Sequence, residues 1–164
     1  MELTYRPVRS MPQRNAVLTI YRGALDYFRR TAQPAPTRGT VQTDRHHVPA
    51  GCSSTAKRFD LLYADAQPVG VLDLVMPYPT VDAVYLQLLL VPRQLRHRGI
   101  GSAVVAHLRK QYGPTRDWLL TTVINADAAQ LQFWQQAGFA VLNATRVAKA
   151  SGDWQTETTL RLAL

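Results

Sequence analysis

The chain has 164 residues, a single cysteine, 46% hydrophobic residues and a formal charge of +8. That length suits one domain over residues 1–164, able to bury about two thirds of its unfolded surface, and no run reaches the ~18 apolar residues of a membrane span. Cys52 alone excludes an intrachain disulfide and a multi-cysteine metal centre. The opening Met-Glu-Leu-Thr-Tyr-Arg-Pro alternates like a strand without the apolar core of a signal peptide, so a cytoplasmic protein is expected. Basic residues are scattered from Arg6 to Arg161 rather than gathered in a tail. With no helix-turn-helix, zinc finger or aromatic RNA-binding signature, nucleic-acid binding is a minority reading, although a positive surface attracts phosphorylated ligands.

Taken in order, residues 3 to 8 read as a short strand, and Val17, Leu18, Tyr21, Leu25 and Phe28 space a helix from about 13 to 31. Pro34 and Pro36 end it. Gln33 to Ser54, rich in Pro, Thr, Gly, His and Ser, reads as a long loop of the functional or mobile kind. His46 and His47 lie in it as solvated residues rather than metal ligands. Lys57 to Ala64 and Val69 to Met76 form a hairpin around the turn Asp65 to Pro68. Ala83 to Val91 is a nine-residue apolar run closed by Pro92, the pattern of a strand buried on both faces. A helix starting near Ile100 stops at Gly113 and Pro114, and Trp118 to Ile124 is a strand. Asp127 to Ala137 is a helix ended by Gly138, and Phe139 to Val147 with Trp154 to Leu162 makes a second hairpin turning at Ser151 to Asp153. The sum is a mixed α/β (α+β) domain, with an antiparallel meander and at least one crossover helix.

Leu95-Arg-His-Arg-Gly-Ile-Gly-Ser102 is the stretch most suggestive of chemistry. Cations run into a Gly-x-Gly step where a strand hands over to a helix. Helix N-terminal N–H groups lack intrahelical partners and sit at the positive end of the dipole, so they bind anionic oxygens. Gly99 and Gly101 are expected to let the backbone approach a phosphate without a Cβ in the way.

The order of strand, Val91-Pro92, Arg96-His-Arg-Gly-Ile-Gly101, strand, short helix and Phe133-Trp-Gln-Gln-Ala-Gly-Phe139 resembles the GNAT superfamily of acyl-CoA-dependent N-acyltransferases. The family's acyl-CoA motif is met by Arg96, Gly99 and Gly101, and its later aromatic signature by Phe133, Trp134, Gly138 and Phe139. The resemblance is firm over residues 57 to 147 and looser over the N-terminal strand and helix. It implies a mostly antiparallel central sheet of about seven strands flanked by about four helices. It also implies acetyl-CoA as cosubstrate, without a metal. The coenzyme's pyrophosphate would rest on backbone amides of Arg96, His97, Arg98, Gly99, Ile100, Gly101 and Ser102, with Arg96, Arg98 and Arg93 adding charge. Pantetheine would follow the strand at Leu89, Leu90 and Val91, where this strand splays from the next. An N–H near Leu89 or Leu90 would stabilise the thioester oxygen.

An amine acceptor is protonated near neutral pH and needs a base. Asp73 is the first candidate, because an acid inside the run Val71 to Met76 demands a reason; Asp82 and Tyr85 are the alternatives. A salt-bridge partner or a surface-facing residue is an equally weighted reading of Asp73. Trp134 stands where many relatives have a tyrosine acid, and an indole can donate a hydrogen bond but cannot release a proton at useful pH. It is read as packing against pantetheine, supporting the thiolate, or filling the core. Asp127 stands where relatives often have a coenzyme-binding Asn; Asn125, two residues earlier, is the substitute candidate, and either could cap the helix. The spacing from Pro92 to Gly99 is one residue longer than the commonest, so the glycines are placed more firmly than the arginines.

The implied acceptor cleft, residues 21 to 55 and 143 to 156, offers Tyr21, Tyr27, His46, His47 and Trp154 and few acids, which disfavours a polycation. The expected partners are a small-molecule or peptide amine, with no nucleic acid and no membrane, and homodimerisation is left open. A catalytically silent acyl-CoA-binding module is the runner-up.

Overall fold

A computed structural model describes residues 2–164. Seven strands form one sheet in the order β1-β2-β3-β4-β5-β7-β6. They are β1 (Leu3–Pro7), β2 (Lys57–Ala64), β3 (Gln67–Val75), β4 (Ala83–Leu90), β5 (Trp118–Ile124), β6 (Ala140–Ala148) and β7 (Trp154–Ala163). All neighbours run antiparallel except β4 and β5, which are parallel and joined by the crossover helix α4 (Ile100–Tyr112). The mixed, mostly antiparallel sheet expected from the sequence is therefore present. Among the described residues no helix is long and apolar enough to cross a membrane.

Strand alternation sorts the core into two layers. Leu62, Leu72, Leu74, Val84, Leu86, Leu119 and Leu160 pack under α4 and α5 (Ala128–Gln136). Phe59, Leu61, Val71 and Leu90 face the opposite way, onto α1 (Met11–Arg22), α2 (Leu25–Arg30) and α3 (Arg38–His46).

Five α-helices stand where about four were expected, for two physical reasons. The helix anticipated over 13–31 begins at Met11, because Ser10 caps it in a reciprocal box with Gln13, and it breaks after Arg22. There Gly23 accepts from the Arg93 N–H at 2.8 Å, and a Cβ on Gly23 would lie 2.8 Å from that of Pro92. A contact distant in sequence thus cuts the helix in two. The loop anticipated over 33–54 contains α3, capped by Thr37 and Thr40. Only Val41 of α3 is buried, so a nearly all-polar helix carried no apolar stripe to read.

Strand β4 also departs from expectation. Ala83, Val84, Leu86 and Leu90 are buried, but Gln87, Leu88 and Leu89 are half-buried. The strand loses one of its neighbours midway along.

Candidate active site

Pairing between β4 and β5 runs from Ala83 opposite Trp118 to Leu86 opposite Thr121 and stops. The Thr121 hydroxyl donates to the Leu86 carbonyl at 2.9 Å, closing the last rung. Beyond it β4 continues to Leu90 and β5 to Ile124 without pairing to each other. On the other side of β4, Asp73 of β3 lies opposite Leu88 while Leu74 lies opposite Leu86, so Gln87 forms a bulge. A bulge bends its strand, and here it coincides with the parting of β4 from β5. The backbone groups of Leu88, Leu89 and Leu90 that turn away from β3 face the wedge, open to a strand-like ligand.

The wedge leads to the turn between β4 and α4. His97 and Gly99 both adopt left-handed backbone, at φ 61° and 80°, and Gly99 is the N-cap of α4 with no side-chain cap. The first N–H groups of α4 therefore have no capping side chain. Space around Gly99 is open, with nothing within 4 Å of a notional Cβ, as a cradle for an anion requires. Gly101 differs: its notional Cβ would fall 2.7 Å from Cζ of Phe133. The second glycine lets α4 press against α5. Ile100 is buried in the core and Ser102 is exposed in the first turn.

Arg96 is less available than its position in the motif implies. Its Nε donates to the Val91 carbonyl at 3.0 Å, and both terminal nitrogens grip the Asp26 carboxylate of α2. That hydrogen bond is the chief reason the Asp26 carboxyl is held below the usual range. His97, Arg98 and Arg93 remain exposed around the turn. Asn125 is similarly occupied. Its Nδ2 donates to the Arg30 carbonyl at 2.9 Å and its Oδ1 accepts from Thr156 N–H at 2.8 Å. Asp127, not Asn125, caps α5. Helix α2 is thereby tied to the β4 side of the wedge through Asp26 and to the β5 side through Arg30.

Of the proposed bases, Asp73 lies beside the point where the wedge opens. It is 2% exposed, its Oδ2 accepts from Lys57 Nζ at 2.6 Å, and its Oδ1 is buried without a partner. Burial pushes its carboxyl up to about 7 against the opposing pull of Lys57. Asp82 precedes β4 at the closed end, its carbonyl accepting from the Asp117 and Trp118 N–H groups. Tyr85 lies three residues into the strand, edge-on to Tyr78, with its hydroxyl raised by burial. Trp134 is 7% exposed and packs edge-on between Phe133 and Phe139.

Of three residues the sequence reading did not single out for chemistry, or placed elsewhere, Lys57 contacts Asp73, while Tyr21 and Asp44 pair with each other. Lys57 also donates to the His47 carbonyl at 2.7 Å. Tyr21, expected to line the cleft, is wholly buried and donates to Asp44 Oδ2 at 2.7 Å. Asp44 is carried by α3, so missing that helix hid the acid. Lys57 was legible in principle, since alternation places it on the face of β2 that Phe59 and Leu61 share with Asp73. Trp154 is 57% exposed on the final hairpin, with Arg146 stacked 5.2 Å from its ring centroid. Among the described residues no three His, Cys, Asp or Glu side chains converge as a metal site.

Comparison with known proteins accords with this geometry. The sequence profile of the family described as Acetyltransferase (GNAT) domain matches residues 42–152. The chain belongs to the GNAT acetyltransferase family, and it is an acyltransferase of that type. An acetyltransferase from Thermus thermophilus superposes with a TM-score of 0.78 at 21% identity, over 100% of this chain and 98% of that one. A ribosomal-protein-alanine N-acetyltransferase from Brucella melitensis gives 0.69 at 16% identity, over 98% and 99%. A protein described as a streptothricin acetyltransferase from Bacillus anthracis, in complex with acetyl coenzyme A, gives 0.58 at 15% identity, over 66% and 63%. No curated protein matches the chain in sequence.

Proposed function

We propose that residues 1–164 form one N-acetyltransferase domain that moves an acetyl group from acetyl-CoA directly to a primary amine of a small molecule or peptide. The observation that carries this reading is the wedge, where β4 and β5 part after Leu86 and Thr121 and lead to a helix start lacking a side-chain cap. A pantetheine arm fits a gap of unpaired strand backbone, and a pyrophosphate fits the open space over Gly99. The amides of residues 97 to 102, with Arg98, His97 and Arg93, would hold the phosphates, while Arg96 braces the turn through Asp26.

In the transfer, the amine nitrogen forms a bond to the thioester carbonyl carbon, the C–S bond breaks, and the electron pair leaves on sulfur. A backbone N–H at Leu89 or Leu90 would meet the carbonyl oxygen as charge builds on it. Asp73, raised to about 7 by burial, is matched to taking the ammonium proton near neutral pH. Asp82 fits less well, being at the closed end of β4. Nothing in Trp134 supplies a proton, and a thiol of pKa about 8.5 leaves tolerably without one. Cytoplasmic location belongs to the proposal.

The deciding experiment is a panel of amines incubated with acetyl-CoA and assayed for free thiol. Acetylation of at least one amine is expected. Coenzyme binding with no thiol release on any acceptor would favour the silent binding module. Salt-dependent DNA or RNA binding that coenzyme does not displace would favour the nucleic-acid reading.

A further inference from the structure

Strand β1 ends with Pro7 opposite Asp60, while β2 begins at Lys57, so the outer edge of β2 at Lys57 and Arg58 has no strand beside it. Here the chain leaves the sheet, with Val8 N–H donating to the Phe59 carbonyl at 3.0 Å, and turns into α1. A cavity of about 340 Å³ lies at this corner. Its walls include Arg9 before α1, Arg45 of α3, Ser54 before β2, and Lys57, Arg58 and Asp60 of β2. Four cations thus surround one acid. Two of the four are already matched: Lys57 binds Asp73, and Arg58 binds Asp60, whose side chain is 0% exposed. Among the described residues, neither Arg9 nor Arg45 has a carboxylate within ion-pair distance. Like charges around one hollow repel each other, and an anion entering it relieves that repulsion.

The two unmatched arginines are held differently. Arg45 donates from Nε to the Val8 carbonyl at 3.2 Å and from Nη1 to Gln42 Oε1 at 2.9 Å. Both acceptors are neutral, so they orient the guanidinium without cancelling its charge. Arg9 is exposed and is tied down through its backbone, its N–H donating to Gln13 and its carbonyl accepting from Arg14. Its side chain is left to close on a ligand. Two unmatched guanidinium charges correspond to a dianion, and their forked donors fit phosphate oxygens. The volume suits a small molecule and not a polymer. The cavity shares no lining residue with the wedge or the turn at Gly99, and β2 lies two strands from β4, about 10 Å at sheet spacing.

We propose that this corner is a second anion site, separate from the coenzyme's, which takes a small phosphate monoester between Arg9, Arg45 and Ser54. The bound dianion ties the approach to α1, the end of α3 and the start of β2 to one another, so binding stabilises the fold. The site stands whether or not the transferase reading does.

The test is a calorimetric titration of glycerol phosphate into the CoA-saturated protein at about 0.15 M salt, which screens the general field. Filling the coenzyme's cradle first keeps the probe out of it. Binding is expected, with a melting temperature that rises as the probe is added. Arg9→Gln should weaken binding about tenfold or more and leave the affinity for CoA unchanged. Arg45→Gln should do the same, whereas Arg146→Gln, on the opposite edge of the sheet, should not. Acetate, with a single charge, should bind about tenfold more weakly than the monoester. No heat once CoA is bound, equal weakening by Arg146→Gln, or acetate binding as tightly as the monoester would each overturn the site. Tighter binding of a single-stranded RNA through the same two arginines would overturn the small-ligand class. If Arg45→Gln does not fold, Arg9→Gln and the acetate comparison still decide.

Discussion

Asp73 is an acid whose burial has two measurable consequences. Its carboxyl sits at about 7 when folded, above the ~3.9 of an unfolded chain. Between those values the folded protein keeps a proton that the unfolded chain has lost. The contribution to stability is thus fully present below about pH 4 and is lost as pH rises through about 7. Melting temperatures across this range should fall more steeply for the unaltered protein than for Asp73→Asn. In catalysis the ionised form is needed, so kcat/KM should climb with pH through about 7. Asp73→Asn should lower turnover by about 10²–10⁴-fold at neutral pH and by less at alkaline pH, where the amine sheds its own proton. A loss independent of pH would leave Asp73 a structural partner of Lys57. The two glycines make a second contrast. Gly99→Glu should abolish most CoA binding, read by calorimetry, because it puts a charged side chain on left-handed backbone over the anion cradle. Gly101→Ala should instead cost about 1–3 kcal/mol of stability by overpacking against Phe133, seen in denaturant melts and relieved in a Phe133→Leu background.

Among the elements, the strands were legible, and so was the helical stretch of α1 and α2, but the break between those two helices and the whole of α3 were not. Trp118–Ile124 and Lys57–Ala64 follow the sequence expectation residue for residue, because alternation and flanking turns are local signals. The break after Arg22 is not local: it depends on Pro92 and Arg93, far along the chain. Helix α3 had a readable cap, Thr37 with Thr40, but no apolar stripe to confirm it. The candidate site divides in the same way. Gly99 and Asp73 could be picked out by type and neighbours, whereas Asp26 gripping Arg96 and Tyr21 reaching Asp44 bridge separations of 70 and 23 residues. The cap of α3 carries its own test. Thr37→Ala should cost about 1 kcal/mol of stability, read in a denaturant melt.

Across the whole molecule, charge divides the two substrates. A chain of net +8 draws the polyanionic coenzyme from a distance, and salt screens that attraction over about 10 Å at 0.1 M. The KM for acetyl-CoA should therefore rise with ionic strength between about 0.05 and 0.5 M salt. A cationic amine feels the opposite long-range field, so its KM should stay level or fall. Parallel increases in both constants would mean that salt acts on the fold, and a melt at each salt concentration separates the cases. The rung between Thr121 and Leu86 has a bearing on size. Four further residues of β4 lie between it and the end of the strand at Leu90, about 13 Å at strand spacing. The last rung is in effect the zero mark of a ruler, and the position of one threonine hydroxyl fixes how deep an extended arm can travel before the sheet closes against it.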